Sequence, residues 1–214
     1  MADRRPRAVR MSELKSKVLN TAKSSVFQVT LQPPGEVIAY LNSGTRRFNY
    51  SSAGESVELM CDSASLPGSS LFTHEVDNDY RGVKEFMAYR RGYENELQLS
   101  FYVNQRYDVI EMFDGWMDFI SGYDENQSEY ITPYATYRMR YPNEYKTNIY
   151  VTKFEKNVGS KERNNNQPLA MEYTFVNAFP KAVQSTPVSY GDGEVLKYNV
   201  TLSYMRYVRR RRNV

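Results

Sequence analysis

Residues that usually build covalent, metal and catalytic sites are scarce in this 214-residue sequence. It holds one cysteine, Cys61, so no intrachain disulfide can form, and a reducing cytoplasm or assembly inside a cell fits best. The one histidine, His74, opens the stretch HEVDND at 74–79. Zinc needs about three or four protein ligands, and this stretch also lacks the spacing of a calcium loop. We therefore predict no metal site and no cofactor.

Candidates for catalysis are equally few. Cys61 would need a base to act as a nucleophile, and His74 is the one histidine available. GDG at 191–193 is typical of a turn, because a phosphate-binding loop needs a longer glycine pattern that opens a helix. Carboxylates can still meet in space, so a small enzyme with a carboxylate-only site stays a minor alternative. We predict no catalytic residues and a protein that is not an enzyme.

Long apolar runs are also missing. No window approaches the roughly 20 apolar residues that cross a bilayer, so we predict no membrane partner. The basic start at 1–10 resembles the first part of a secretory signal, but the next ten residues contain no apolar core. A secretory signal is therefore not expected.

Charge, by contrast, is abundant and segregated. The chain's net charge is +3, yet residues 1–23 carry +5 and residues 206–214 another +5, which leaves −7 for the body. Basic ends of this kind can hold nucleic acid, dock on the acidic bodies of neighbouring copies, or simply be solvated. We predict a basic N-terminal arm with a short helix at 1–23, one β domain at 24–208 and an Arg-rich C-terminal tail at 209–214.

Alternation of apolar and polar residues is the main structural signal. The short N-terminal helix rests on apolar spacing at 11–19, and spacing at 107–121 predicts a second helix that Gly122 ends. Residues 44–56 are predicted as a loop or ragged hairpin, and 158–168 as a polar loop. The predicted strands are 24–31, 36–42, 57–61 with Val57, Leu59 and Cys61 inward, a polar arm at 70–82, 95–105, 148–156, 171–180 and 195–208.

Together these elements indicate a mainly β (α+β) fold. We expect an antiparallel β-barrel or sandwich with one packed helix, because strands with one polar and one apolar face are antiparallel in habit.

A tyrosine-rich connection at 123–145 is the strongest candidate for a binding surface. Tyr and Arg are enriched in protein–protein contacts, and the same residue types can stack bases and neutralise phosphates. The acidic body and Glu144 favour a protein contact. The predicted interface residues, in this connection and in the basic tail, are Tyr137, Arg140, Tyr141, Tyr145, Arg209, Arg210, Arg211 and Arg212.

An ordered series of short motifs runs through residues 24–207. They are F-x-V at 27–29, C-x-S-A-S-L-P-G at 61–68, L-x-L-S-F-Y-V at 97–103, F-x-x-W at 113–116, Y-P-N-x-Y at 141–145, Y-x-F-x-N-A-F-P at 173–180 and V-T-L-S-Y-x-R-Y at 200–207. This series resembles the tail tube family of contractile-tailed bacteriophages, which includes the related tube-initiator proteins of the baseplate.

The resemblance implies a structural subunit of a tail tube or of its initiating ring. Six copies would form a ring around a typically acidic channel for genomic DNA, and rings would stack through long loops and hairpin arms. Partners would be further copies, tube or baseplate proteins, sheath and tail-terminator proteins, in a virion assembled in the host cytoplasm. The basic ends and the polar loop at 158–168 depart from a plain tube subunit and favour a baseplate-proximal variant. The alternative from the residues themselves is a nucleic-acid-binding module that uses the basic termini.

Overall fold

The computed structural model describes residues 15, 22, 24–43, 48–77, 82–122, 138–154, 169–188, 190, 191, 193 and 195–213. The strands are β1 (Phe27–Thr30), β2 (Cys61–Ala64), β3 (Ser69–Val76), β4 (Glu85–Tyr93), β5 (Glu96–Tyr102), β6 (Thr147–Phe154), β7 (Leu169–Val183), β8 (Lys197–Ser203) and β9 (Arg206–Asn213). The helices are α1 (Gly35–Asn42), α2 (Tyr50–Leu59), α3 (Asp108–Ser121) and α4 (Pro142–Tyr145).

The long strand β7 belongs to two antiparallel sheets. Its first part lies between β6 and β9, and β1 pairs with the far side of β6. Its last part pairs with β8, which is followed by β5 and β2. The fold is therefore mainly β, antiparallel and sandwich-like, as the alternation predicted, and its described strands do not close into a barrel.

An irregularity in β7 separates its two pairings. Asn177 has a φ of 56°, a left-handed conformation that Asn tolerates better than most residues. At this point the pairing with β6 shifts register, and the Asn177 amide donates to the Asn148 side chain. The bulge lets one strand leave the first sheet and enter the second.

The C-terminal segment predicted as one strand, 195–208, is two strands. β8 ends at Ser203 in the second sheet, and β9 begins at Arg206 in the first. Tyr198, Val200 and Leu202 are buried, so β8 has one buried and one more exposed face. The prediction of a single straight strand was wrong, because the chain changes sheets between β8 and β9. The segment predicted as a basic tail continues β9 to Asn213.

Helix α3 fills the space against the sheets, as its spacing predicted. Its buried face includes Phe113 and Trp116, both fully buried, and Phe113 packs on Phe101 of β5 at a ring-centroid distance of 5.3 Å. Gly122 ends the helix with a φ of 73°, where a Cβ would lie 2.5 Å from the Arg138 carbonyl oxygen. Only glycine fits that position without strain.

Two predicted strands and part of the predicted loop are helical, so the predictions for these segments were wrong. Segment 36–42 forms α1, because Val37 and Leu41, one helical turn apart, are both fully buried. Asn49 caps α2 by accepting the Ser51 amide, and this helix takes in residues 57–59 of the predicted strand at 57–61, whereas Cys61 begins β2. Leu59, predicted to face inward, is 71% exposed.

Several predictions fall outside the described residues. They are residues 123–137 of the tyrosine-rich connection, Tyr137 among them, the polar loop at 158–168 and, apart from Lys15, the N-terminal helix at 11–19. Among the described helices, none is long and apolar enough to span a membrane.

Candidate assembly surfaces

The hairpin of β3 and β4, here called the arm, stands away from the body. Its strands pair with each other from Ser69–Tyr93 to Val76–Glu85, and nearly all of their side chains are exposed. Large apolar side chains lie on both strands, including Leu71 and Phe86, which are 64% and 62% exposed. An isolated two-stranded hairpin is marginal in water, so such an arm is expected to gain stability from a partner surface.

Within the arm, Phe72 lies over Gly92. A Cβ on Gly92 would approach the Phe72 ring to 2.7 Å, and the ring of Tyr89 lies 6.4 Å from that of Phe72. An aromatic ring over a strand glycine shields backbone that the missing side chain leaves open, and it fixes the register of the pair.

The base of the arm is held by a cluster around Arg91. The guanidinium of Arg91 lies 5.1 Å from the ring centroid of Tyr93 and 5.6 Å from that of Tyr207 on β9. It donates to the hydroxyls of Ser69, at 3.0 Å, and of Tyr207, at 3.2 Å. In the described part of the chain, the hydrogen bonds and ring contacts that join the arm to the body all involve Tyr207.

The polar environment of Tyr207 changes its acidity. Its hydrogen bond with Ser69, then that with Arg91 and the nearby charges of Arg91 and Arg209, lower the pKa of the Tyr207 phenol. This cluster was not predicted from the sequence. The sequence signal that could have indicated it is the run of aromatic residues and arginines at 85–93.

The predicted basic residues lie along β9, an edge strand. Arg209, Arg210 and Arg211 sit opposite Tyr173, Glu172 and Met171 of β7, and their side chains are exposed. The backbone of Arg212 continues the strand, and its side chain lies outside the described set. The other edge of β9 pairs with no described strand, so it presents free backbone groups beside a row of arginines.

The predicted Tyr/Arg turn has one exposed and one anchored tyrosine. Tyr141 is exposed, whereas the ring of Tyr145 packs edge-on against Phe179 at 5.4 Å, and its carbonyl accepts the Trp116 indole N–H at 3.1 Å. Arg140 lies over the ring of Phe119 at 5.0 Å. Between described residues, no hydrogen bond or ring contact joins this turn to β9, so the two predicted groups form separate surfaces.

The outer face of β5 and β8 is polar and nearly neutral. Gln98, Ser100, Asn199 and Thr201 line an open groove on it. At its borders Glu96 pairs with Lys181, and Asp62 pairs with Lys197 at 2.7 Å. The hydrogen bond from Lys197 lowers the pKa of the Asp62 carboxyl, and the same bond raises that of Lys197.

The residues examined for chemistry lie apart. Cys61 on β2 pairs with Phe101 of β5, while His74 lies on the arm opposite Met87. Burial, then the charge of Asp62, raises the pKa of the Cys61 thiol to about 12. No group of three or more metal-ligating side chains occurs in the described ranges.

Open sheet edges and a projecting apolar arm are features of surfaces that contact other protein chains. The sequence profile of the phage tail tube proteins matches residues 22–210, and this chain belongs to that family. Members of the family are structural proteins rather than enzymes, which confirms that prediction.

Solved structures of contractile injection systems share the fold. A chain of the PVC sheath–tube complex in the extended state superposes with a TM-score of 0.50 at 16% identity, covering 95% of this chain and 99% of that chain. A chain of the PVC sheath/tube terminator gives 0.51 at 16% identity, covering 89% and 96%.

A chain of the anti-feeding prophage baseplate gives 0.50 at 13% identity, covering 89% and 95%. No curated protein sequence matches the chain.

Proposed function

We propose that copies of this chain form hexameric rings that stack around a conduit for DNA, in a tail tube or in the baseplate ring that initiates it. The particle is a virion tail assembled in the host cytoplasm. Its partners are further copies, other tube or baseplate proteins, sheath and tail terminator. Family membership supports the tube role, and the similar chains come from tube, terminator and baseplate assemblies.

The arm is the observation that carries this proposal. Its exposed apolar side chains, Leu71 and Phe86 among them, lie on a hairpin that packs on little of its own body. A neighbouring copy or ring that covers the arm buries this surface, and each buried large apolar side chain contributes about 1.5–3 kcal/mol. The free edge of β9 similarly gains a partner on association.

The polar face of β5 and β8 suits the wall of a water-filled conduit. Amide and hydroxyl side chains such as Gln98 and Asn199 bind water, and the charged residues at its borders are paired. A near-neutral wall has few free cations to bind phosphates, so DNA slides past it without strong attraction.

Negative-stain microscopy of the purified chain, alone and with baseplate extract, tests the proposal. We expect rings or tubes, and we expect the double variant Leu71→Ser/Phe86→Ser to lose them while keeping its folded circular dichroism spectrum. The matched control is Val83→Ser, which removes an exposed apolar side chain outside the paired strands. A wild-type chain that stays monomeric under every condition would refute the proposal.

A second candidate, nucleic-acid binding, is favoured by one observation. Within the described residues, Arg206, Arg209, Arg210 and Arg211 form no ion pair. The discriminating assay is a salt titration of DNA binding, in which loss of affinity with rising salt reports phosphate contacts. Because 206–213 is a strand of the sheet, the comparison chain carries Arg→Gln substitutions rather than a truncation.

A further inference from the structure

Strand β9 cannot readily pair with a second copy of itself. It carries arginines on both faces, with Tyr207, Arg209 and Arg211 on one side and Arg206 and Arg210 on the other. Two such strands placed edge to edge would oppose like charges at close range, which costs several kcal/mol. The edge is therefore protected against symmetric pairing and needs a surface of opposite charge.

The outer face of α3 supplies that charge. Its inner face buries Val109, Met112, Phe113, Trp116 and Phe119. On the opposite side Asp114 is exposed, and Glu111 and Asp118 are half-buried. The helix contains no basic residue. Within the described chain, Glu111 and Asp114 form no ion pair, although Asp114 accepts a hydrogen bond from Tyr198.

The spacing of the two rows is compatible. Along a helix, residues three or four apart are separated by about 4.5–6 Å in rise, which describes the successive carboxylates of Glu111, Asp114 and Asp118. Along a strand, residues two apart are separated by about 6.6 Å, which describes Arg209 and Arg211. Arg binds carboxylate through two parallel hydrogen bonds, so each contact of this kind is directional as well as attractive.

We propose that the arginines of β9 in one copy dock against the carboxylate face of α3 in the next copy. The contact is heterologous, because the two surfaces are different and lie on different elements of one chain. Repetition of a heterologous contact generates a closed ring or an open stack rather than a two-fold dimer. The inference rests on the proposed function and names the side chains that hold neighbouring copies together.

Two charge-reversed chains test this contact. The strand variant is Arg209→Glu/Arg211→Glu, and the helix variant is Glu111→Lys/Asp118→Lys. Each variant alone would oppose like charges across every contact. We therefore expect the protein concentration needed for assembly to rise roughly tenfold or more. Mixed in equal amounts, the two variants restore opposite charges at both kinds of contact, and we expect assembly close to that of the wild-type chain.

The measurement is light scattering with negative-stain microscopy on nuclease-treated protein, at low and high salt. Thermal circular dichroism verifies that each variant is folded. The control Arg106→Glu reverses one exposed charge outside the basic ends, as the single variant Arg209→Glu does on β9, and should assemble normally. Added salt should weaken wild-type assembly, because it screens surface charge.

Four results would overturn the inference. If either variant assembles like the wild type, or the mixture is as defective as its parts, the contact does not exist while the ring proposal stands. If the strand variant loses binding to short duplex DNA but assembles normally, β9 serves nucleic acid instead. A wild-type chain that never associates would refute both this contact and the proposed function.

Discussion

Replacing Arg91 with alanine should loosen the arm without unfolding the body. Arg91 contributes two ring contacts and two hydrogen bonds at the arm base. Exposed cation–π contacts are worth about 0.5–1 kcal/mol each, and hydrogen bonds from a charged donor about 1.5 kcal/mol each at the low end of their range. Ordering the long side chain costs up to about 2 kcal/mol, which leaves a net stabilisation of about 2 kcal/mol.

Hydrogen exchange measures this effect directly. A loss of about 2 kcal/mol corresponds to a roughly 30-fold increase in the open population, so amides of 69–76 and 85–93 should exchange about 30-fold faster. The free energy of global unfolding should change by less than about 0.5 kcal/mol, because surface changes remote from the core have small effects. Assembly should weaken as well, since a mobile arm loses entropy when it docks.

Two further variants locate the cause. Arg90→Ala removes an adjacent exposed arginine that makes no ring contact in the described structure, and should leave exchange unchanged. Tyr207→Phe keeps the ring and removes only the hydroxyl bonded to Ser69 and Arg91, so it should give a smaller increase. Arm protection that is equal in Arg91→Ala and the wild type would show that the base cluster does not hold the arm.

Four other outcomes follow from single sites. Cys61, with a pKa raised to about 12, should react with thiol reagents at pH 8 roughly a thousandfold more slowly in the native than in the denatured chain; equal rates would contradict its burial. Tyr204→Phe should be neutral or stabilise by about 1 kcal/mol in denaturant titrations, because the buried Tyr204 hydroxyl has no hydrogen-bond partner in the described structure. Burial raises the pKa of the Tyr198 phenol, and it raises that of Tyr204 to about 12. The neutral phenols therefore stabilise the fold below pH 10, and that stability is lost as the pH rises further. Absorbance near 295 nm should show phenol ionisation together with unfolding. Gly122→Ala should lower the free energy of unfolding by about 2–3 kcal/mol, through its positive φ and a clash with a carbonyl. Gly35→Ala, with nothing within 4 Å of the added Cβ, should lower it little. Similar losses for both variants would refute the steric argument.

Strand alternation and helical spacing were the parts of the fold that sequence alone determined. β5, β6 and α3 were predicted close to their observed bounds, because a period of two or of about 3.6 is fixed by local backbone geometry. The scarcity of cysteine and histidine, together with the segregated charge, likewise needed no coordinates.

Short apolar segments were decided by the tertiary structure. Residues 36–42 fit either a strand or a helix pattern over so few positions, and the helix is the form that buries both Val37 and Leu41 in the core. The break between β8 and β9 is similar, since alternation continues on both sides of it while the chain crosses from one sheet to the other.

The candidate surfaces divide in the same way. From residue type alone, the arginines of β9 and the tyrosines near 141–145 were predicted as contact residues, and that assignment stays a prediction. Only the folded chain showed that Tyr145 is an anchor, that Arg91 joins the arm to β9, and that the exposed Asp114 of α3 accepts the Tyr198 hydroxyl. Contacts between residues distant in sequence depend on how the sheets and helices pack, and no local period encodes that packing.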